Sequence, residues 1–390
     1  MSTTEQAPDK LPHYVSDVAF EPGKQEALTP ELEAYYLASA RQMMWWRFKR
    51  HKLAMFSALL LIIAYLSILI IEVLAPYELH TRNADFIHAP PQMVRIFHDG
   101  SLRTPFVYPL KYRLNMDNLK REYTNDTARP QPLRFFCRGD AYRFWGMWEG
   151  NVHLVCPPKG GTLYLLGTDR LGRDLFSRIL YGARISLTIG LVGIAVSFVL
   201  GIVIGGIAGF FGGIVDNLIM RLIEILRSLP ELPLWMALSA ALPANWSPIL
   251  IYFGITIILG LLEWPGLARA VRSKLLSLRQ EDFAVASKLM GAKPGHIIGR
   301  HLIPNFMSHL IASATLAVPA MILGETALSF LGLGLRPPVT SWGVLLAEAQ
   351  NVEAIALYPW LLFPMVPVVV TTLAFNFMGD GMRDAADPYN

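Results

Sequence analysis

Charge is what this 390-residue sequence has least of: Asp, Glu, Lys and Arg make up 16% of it, against roughly 25% in a soluble domain. Hydrophobic residues make up 53%, and the mean hydropathy is +0.38. This balance excludes a disordered chain and argues against a soluble globular one. Cysteine is also scarce. Two residues, Cys137 and Cys156, exclude a disulfide-dense scaffold and a four-ligand zinc site. There is no Gly-x-x-x-x-Gly-Lys-Ser/Thr loop to cradle nucleotide phosphates, no His-Glu-x-x-His zinc helix and no Gly-x-Ser-x-Gly nucleophile turn, and the nine histidines are scattered. Net charge is +4 and the pI about 9.0. In a membrane protein that sign reads as basic cytoplasmic loops rather than a nucleic-acid surface.

What is abundant is long uncharged runs. A helix needs about 20 apolar residues to cross the hydrocarbon core. Leu53 to Ile71 supplies 19, Ile185 to Val215 31, Leu232 to Leu262 31, Phe306 to Gly324 19 and Ala354 to Gly379 26. The run from Leu232 is interrupted by Pro243-Ala-Asn-Trp-Ser-Pro248, a turn signal, and divides into spans near 223–242 and 249–267. Six spans result. The third carries Glu224, Arg227 and Glu231, which must sit at an interface or face protein. The fold class expected is therefore an all-α polytopic membrane protein.

Arg41 to Lys52 holds five basic residues and no acid before the first span, which places that end in the cytoplasm. Six spans return the C-terminus to the same side. The stretch 265–305 then also faces the cytoplasm, with seven Lys/Arg against two acids. Residues 1–28 are polar and expected to be mobile. Thr29-Pro30-Glu31 reads as a helix start, and 29–52 as an interfacial helix carrying Tyr35, Tyr36, Trp45 and Trp46 into the first transmembrane helix, 53–74. A helix packed on a partner subunit is the alternative. The first span is too long for a cleaved signal peptide's apolar region.

Residues 75–165 change character: charged, Pro-punctuated and aromatic. Pro132-Leu-Arg-Phe-Phe-Cys137, Tyr142-Arg-Phe-Trp145 and Val152-His-Leu-Val-Cys156 read as short strands, with turns at Arg138-Gly-Asp140 and Glu149-Gly150-Asn151. A small β-rich extracytoplasmic insert is expected. Cys137 and Cys156 can form one disulfide in an oxidising compartment, or remain two buried thiols. Next comes an elbow, Leu166-Gly167-Thr168-Asp169-Arg-Leu-Gly172-Arg173-Asp174, leading into span two. Two Asp and four Arg within 16 residues read as a solvated, salt-bridged segment. The remainder, 166–390, holds the other five spans.

Arg279-Gln-Glu281-Asp-Phe-Ala284-Val285-Ala286-Ser287-Lys288-Leu-Met-Gly291-Ala292 has a complete helix grammar, with acids first, a lysine in the last turn and a glycine exit. Ala284, Ser287, Lys288 and Gly291 share a small, mildly basic face that another protein's surface can approach. Lys293-Pro294-Gly295 breaks the chain before His296 and a second short helix. Such a helix–break–helix unit braced between two spans suits force transmission; an amphipathic helix on lipid headgroups is the alternative.

This loop resembles the Glu-Ala-Ala loop of ABC-importer permeases. That pattern falls on Val285-Ala286-Ser287, Gly291, His301, Ile303 and Pro304; Val replaces its Glu, His its Ile and Ile its Leu. Leu166–Gly190, Gly324-Glu-Thr-Ala-Leu-Ser-Phe-Leu-Gly-Leu-Gly334 and Phe375-Asn-Phe-Met-Gly-Asp-Gly-Met-Arg-Asp-Ala-Ala-Asp-Pro388 resemble the C-type permease of dipeptide/oligopeptide (peptide/nickel/opine) importers. The resemblance covers about 53–75 and 166–388.

The resemblance implies a type I ABC importer fold and a heterodimer with a sister permease. It also implies two cytoplasmic ATPase subunits using ATP and Mg, and an extracytoplasmic substrate-binding protein. The chain itself would carry no cofactor and no catalysis. It would lie in the bacterial inner membrane with both termini cytoplasmic, among lipid and without nucleic acid. Glu281, Ala284, Val285, Ala286, Ser287, Lys288, Gly291, Ala292 and His296 would couple to the ATPases. Glu325 is the candidate acid near the outer gate, or else a Glu satisfied by neighbouring helix ends. Met321, Leu328, Phe330 and Met365 are candidates for a constriction, ordinary packing being the alternative. Gly193, Gly201, Gly205, Gly206 and Gly209 allow close helix approach, within the chain or against the sister subunit. A nickel chelate, an opine, an oligosaccharide or a microcin-like cargo remains open within the family. A secondary transporter would show inverted repeats, which the halves lack.

Overall fold

The computed structural model describes residues 37–98, 100–116, 120–243 and 245–386. The tail 1–28, the helix start at Thr29, Tyr35, Tyr36, Ala244 and residues 387–390 lie outside them. Helix α1 (Ala40–Arg50) begins at a capping box: the Ser39 hydroxyl accepts from Gln42 N, and Ser39 N donates to Gln42 Oε1. The chain breaks at His51, whose Nδ1 accepts from Ala54 N and so starts α2 (Lys52–Leu69). Trp45 and Trp46 are exposed on α1, while Phe48 packs with Ala54 and Ala385. A short α3 (Ile71–Leu74) closes the first span.

The insert is β-rich, as expected, and holds three small antiparallel units. β1 (Arg95–His98), β2 (Ser101–Val107) and β5 (Gln131–Pro132) form a sheet in the order β1-β2-β5; β3 (Leu110–Leu114) pairs with β4 (Arg121–Asn125), and β6 (Arg134–Phe144) with β7 (Trp148–Cys156). The expected turns at 138–140 and 149–151 are not turns. The first is a register irregularity inside β6, and the second lies within β7. The reversal is at Trp145 and Gly146, both at positive φ, where a primed turn matches the twist of the strands. Bulge and turn carry similar local composition, so composition alone does not place the reversal.

Among the described residues, five helices are long and apolar enough to cross a membrane: α2, α4 (Leu175–Phe211), α7 (Pro248–Leu278), α11 (Met307–Phe330) and the stretch Pro359–Ala386, which contains α14 (Met365–Ala386). The third span differs from expectation. Instead of one helix over 223–242 there are two, α5 (Gly213–Ser228) and α6 (Glu231–Ala240). Pro230 has no N–H to donate and holds Leu229 extended, at φ −86 and ψ 137, so the helix stops there. The ten residues of α6 reach about 15 Å, half of the hydrocarbon thickness.

α7 also runs further than expected. It passes through Pro265 to Leu278, so the first part of 265–305 is helix rather than loop. Its 31 residues span about 46 Å and project well beyond the hydrocarbon. There follow α8 (Asp282–Leu289), the single-turn α9 (Pro294–His296), a π-helical stretch Ile297–Leu302, and α10 (Ile303–Asn305). After α11 come two short helices, α12 (Trp342–Ala347) and α13 (Val352–Leu357). The sixth span is broken at Tyr358, and its crossing begins at Pro359 rather than Ala354.

The core sits where α2, α4, α11 and α14 meet, through Leu61, Ile179, Leu187, Val318, Ile322 and Phe375. The glycines of α4 place it against α7 of the same chain. A Cβ at Gly205 would overlap the Ala268 carbonyl oxygen, and one at Gly209 would come within 2.8 Å of Leu275. Gly193 faces Met321, and Gly206 has more room.

Candidate functional site

The segment expected to couple to a partner, 281–296, lies at the end of the bundle away from the insert. Glu281 caps α8 without a side-chain bond, and Met290 and Gly291 end it, Gly291 at φ +83 with open space around it. The four-residue face expected to meet a partner is divided. Ala284 and Ser287 are buried, and Ala284 packs with Leu275 of α7, Ile297, Leu302 and Phe306, and Leu310 of α11. Lys288 and Gly291 stay exposed, as do Glu281, Val285, Ala286 and His296, with Ala292 half-buried. Ala284 and Ser287 therefore face the bundle and are not open to a partner. The freest apolar side chains of this segment are Leu289 and Met290, 82% and 81% exposed, with Phe283 and Val285 also exposed.

This seat is stiff. Arg279 Nη1 donates to the Gly209 and Phe210 carbonyls at the end of α4, and Arg272 forms a bidentate pair with Asp216 of α5. Two of the loop's seven basic residues thus tie helices together. The wide turn of the π stretch and the break at Phe306 stand between α8 and α11; both are places where a helix bends without losing every backbone bond.

At the insert end the elbow is salt-bridged but not solvated, contrary to expectation. Asp169, Arg173, Asp174 and Arg178 are all buried. Asp169 Oδ1 accepts from Leu171 N and Arg173 N, while its Oδ2 accepts from Arg173 Nε at 2.6 Å and Arg178 Nη1 at 2.5 Å. Glu348 completes the cluster, accepting from Arg178 Nη2 at 2.9 Å and Arg173 Nη2 at 3.3 Å. Two cations and two anions can leave water when each is paired, and removing one partner of such a set typically costs about 3–5 kcal/mol. Glu348 lies 170 residues from Arg178, so no local pattern announces it. Thr168 Oγ1 donates to the Phe86 carbonyl and accepts from Ala89 N, which fixes the insert's first loop to the elbow. Gly167 and Gly172 both have positive φ, and a Cβ at Gly172 would overlap the Asn83 carbonyl oxygen. Asp174 caps α4, its Oδ2 accepting from Ser177 N and Oγ. Its Oδ1 is buried without a hydrogen bond, and burial pushes the carboxyl up to about 7.

Glu325 is fully enclosed and faces neither water nor a path in this structure. Three serine hydroxyls donate to it: Ser341 at 2.6 Å, Ser329 at 2.7 Å and Ser186 at 3.2 Å. Each hydroxyl in turn accepts a backbone N–H, from Val344, Leu335 and Trp342 respectively. Glu325 therefore orders the start of α12, the turn after α11 and the packing of α4 on both. The constriction candidates do not converge. Met321 and Leu328 are buried in a core with Trp235, Ile255 and Leu259, while Phe330 and Met365 are exposed. Cys137 and Cys156 are joined by a disulfide, with Cα atoms 6.2 Å apart, across the β6–β7 hairpin.

A bundle of apolar helices bearing a seated but exposed helix at one end and a folded insert at the other defines a multi-pass helical membrane protein. Comparison with known proteins agrees. The family "Binding-protein-dependent transport system inner membrane component" matches residues 201–389, and "N-terminal TM domain of oligopeptide transport permease C" matches residues 39–91. The dipeptide transport system permease protein DppC of Bacillus subtilis (strain 168) is 40% identical over 232 residues, 60% of this chain and 70% of that protein. The oligopeptide transport system permease protein OppC of Haemophilus influenzae is 42% identical over 241 residues, 62% of this chain and 75% of that protein. A chain of the MetNI methionine ABC transporter, solved in an inward-facing conformation, is 19% identical with a TM-score of 0.43, over 54% of this chain and 96% of that one. The chain belongs to the permeases of binding-protein-dependent transport systems, on the oligopeptide permease C branch. Residues 92–200, with most of the insert and the elbow, lie in neither family match.

Proposed function

We propose that this chain is one of two sister permease subunits that form the translocation path of an ATP-driven peptide importer in the bacterial inner membrane. Two cytoplasmic ATPases would bind ATP and Mg, and an extracytoplasmic binding protein would deliver the cargo. The observation that carries the reading is the seating of α8: its inner side is packed onto α7 and α11, and its outer side exposes Leu289 and Met290. A partner that grips Leu289 and Met290 and moves would move both long helices, because the seat transmits force rather than absorbing it. Such a bistable packed bundle can switch between inward-open and outward-open states. The peptide cargo rests on the dipeptide and oligopeptide permeases to which the chain is similar. The disulfide and the basic far end support an insert outside and both termini inside.

The test is uptake of a labelled peptide mixture into proteoliposomes holding this chain, its sister permease, the ATPases and the binding protein. Leu289→Asp with Met290→Asp is expected to abolish ATP-driven uptake and co-purification of the ATPases, with the thermal midpoint of the permease unchanged. Binding-protein-stimulated ATP hydrolysis without peptide uptake would move the cargo to metal chelates, opines or oligosaccharides. Uptake without ATP would overturn the importer reading.

A further inference from the structure

The tip of the β6–β7 hairpin is fastened to the end of the first span. Trp145 Nε1 donates to the Leu69 carbonyl at 3.0 Å, and Trp145 N donates to Glu72 Oε1 at 3.2 Å. Arg184 binds Glu72 through both terminal nitrogens at 2.9 Å and stacks over the Trp145 ring, 4.2 Å from its centre. Deeper in the hairpin, buried His153 bonds through Nδ1 to the Ala75 carbonyl at 2.6 Å. The tip is thus held at a fixed height on the bundle.

That height is the edge of the membrane. α2 has 18 residues, about 27 Å of helix, close to the thickness of a hydrocarbon core of about 30 Å. The Leu69 carbonyl, in its last turn, therefore lies at the boundary, and so does the indole bonded to it. The exposed apolar stripe of α2, through Phe56, Leu59, Ile63 and Leu66, ends at Leu69 and Ile70 on the same level. The tip continues it. Trp145-Gly146-Met147-Trp148 carries no charge, and Met147 and Trp148 are 67% and 62% exposed. One rung further from the tip, Arg143 and Glu149 face each other across the strands, both exposed. An uncharged tryptophan-methionine apex below a charged rung is the arrangement that favours a bilayer interface, where an indole buries its ring and keeps its N–H near water.

We propose that this apex is a lipid anchor: Met147 and Trp148 enter the acyl–headgroup boundary of the leaflet on the insert's side, with the Arg143–Glu149 rung among the headgroups. The occupant is lipid, because Trp145 joins the apex to the end of the exposed apolar stripe of a helix long and apolar enough to cross a membrane.

The test uses the full chain with its co-purifying subunits in phosphatidylethanolamine–phosphatidylglycerol liposomes. Met147→Cys is labelled with a nitroxide; Cys137 and Cys156 are bonded to each other and do not react. Collision of the label with oxygen and with a water-soluble nickel chelate is compared at three positions: Met147→Cys, Phe56→Cys on the apolar stripe and Thr127→Cys in an exposed turn of the insert. The expected oxygen-to-nickel ratio at Met147 is several-fold above that at Thr127 and close to that at Phe56. Nickel access equal to Thr127 would place the apex in water, and shielding from both reagents would mean that a protein covers it; either overturns the proposal. Trp148→Cys gives an independent reading at the neighbouring position. A count of one spin per chain shows that the hairpin and its disulfide are intact.

Discussion

Asp174 caps a transmembrane helix with one oxygen and leaves the other buried and unbonded. Burial raises its carboxyl from the ordinary 3.8 to about 7, so the folded protein holds the proton more tightly than the unfolded chain. A raised folded pKa contributes stability that is complete below the unfolded value and lost as pH rises through the folded one. Between the two, the loss runs at up to about 1.4 kcal/mol per pH unit. We expect the thermal midpoint of the wild type to fall relative to Asp174→Asn between about pH 5 and about pH 7, and to run parallel to it above about pH 8. Curves parallel over the whole range would mean that Asp174 keeps the same charge in both states. Glu325 has the same burial and the opposite provision, three hydroxyls where Asp174 has one residue's N–H and hydroxyl. Its role in this structure is to order three chain segments, which a glutamate does here because each serine passes on a backbone hydrogen bond.

The packing of α4 on α7 depends on single missing methyl groups. Gly205 meets the Ala268 backbone with no room for a Cβ, whereas the nearest atom to a Cβ at Gly206 is 3.6 Å away. Gly205→Val is expected to cost about 3 kcal/mol or more, because backbone cannot yield as a side-chain tip does, and Gly206→Ala well under half of that. Thermal melts of the two variants in one detergent check the contrast; equal effects would mean that α4 and α7 are further apart than described. At the far end Arg279 holds α7 to α4 and the Arg272–Asp216 pair holds α7 to α5, so motion of α8 reaches α4 as well as α7 and α11.

Over the whole molecule, the insert is joined to the bundle by more than its two chain connections. Trp145, His153, Thr81 and Thr168 all bond across the junction or brace it. The disulfide lies within the hairpin, so its loss should loosen the hairpin without loosening the bundle. Cys137→Ser with Cys156→Ser is expected to speed trypsin cleavage at the exposed Arg138 and Arg143, while helix content and the bundle's thermal midpoint stay the same. The loss of about 2–4 kcal/mol usual for a disulfide is then confined to the insert. Unchanged cleavage would show that the Trp145 and His153 contacts hold the hairpin by themselves.

Much of this was legible in the residues alone. Uncharged runs specify spans because lipid offers no partner to a backbone group or a charge, a rule that acts on each segment separately. Thus Leu53–Ile71 and Ile185–Val215 lie where helices α2 and α4 stand, the aromatic insert between them is β-rich, and the grammar of 281–291 yields α8. Tertiary contact decided the rest. The partners of Arg178, Glu325 and Trp145 are Glu348, Ser186 and Leu69, each far along the chain, and only folding brings them within 3.2 Å. Ala284 and Ser287 look like an approachable surface until α7 and α11 cover them. The sequence by itself determined which segments are apolar enough to enter the membrane, the broken third span apart, because burial in lipid depends on composition. Which polar side chains are buried, paired or left for a partner was decided only by the tertiary structure, because pairing depends on distances that no single segment contains.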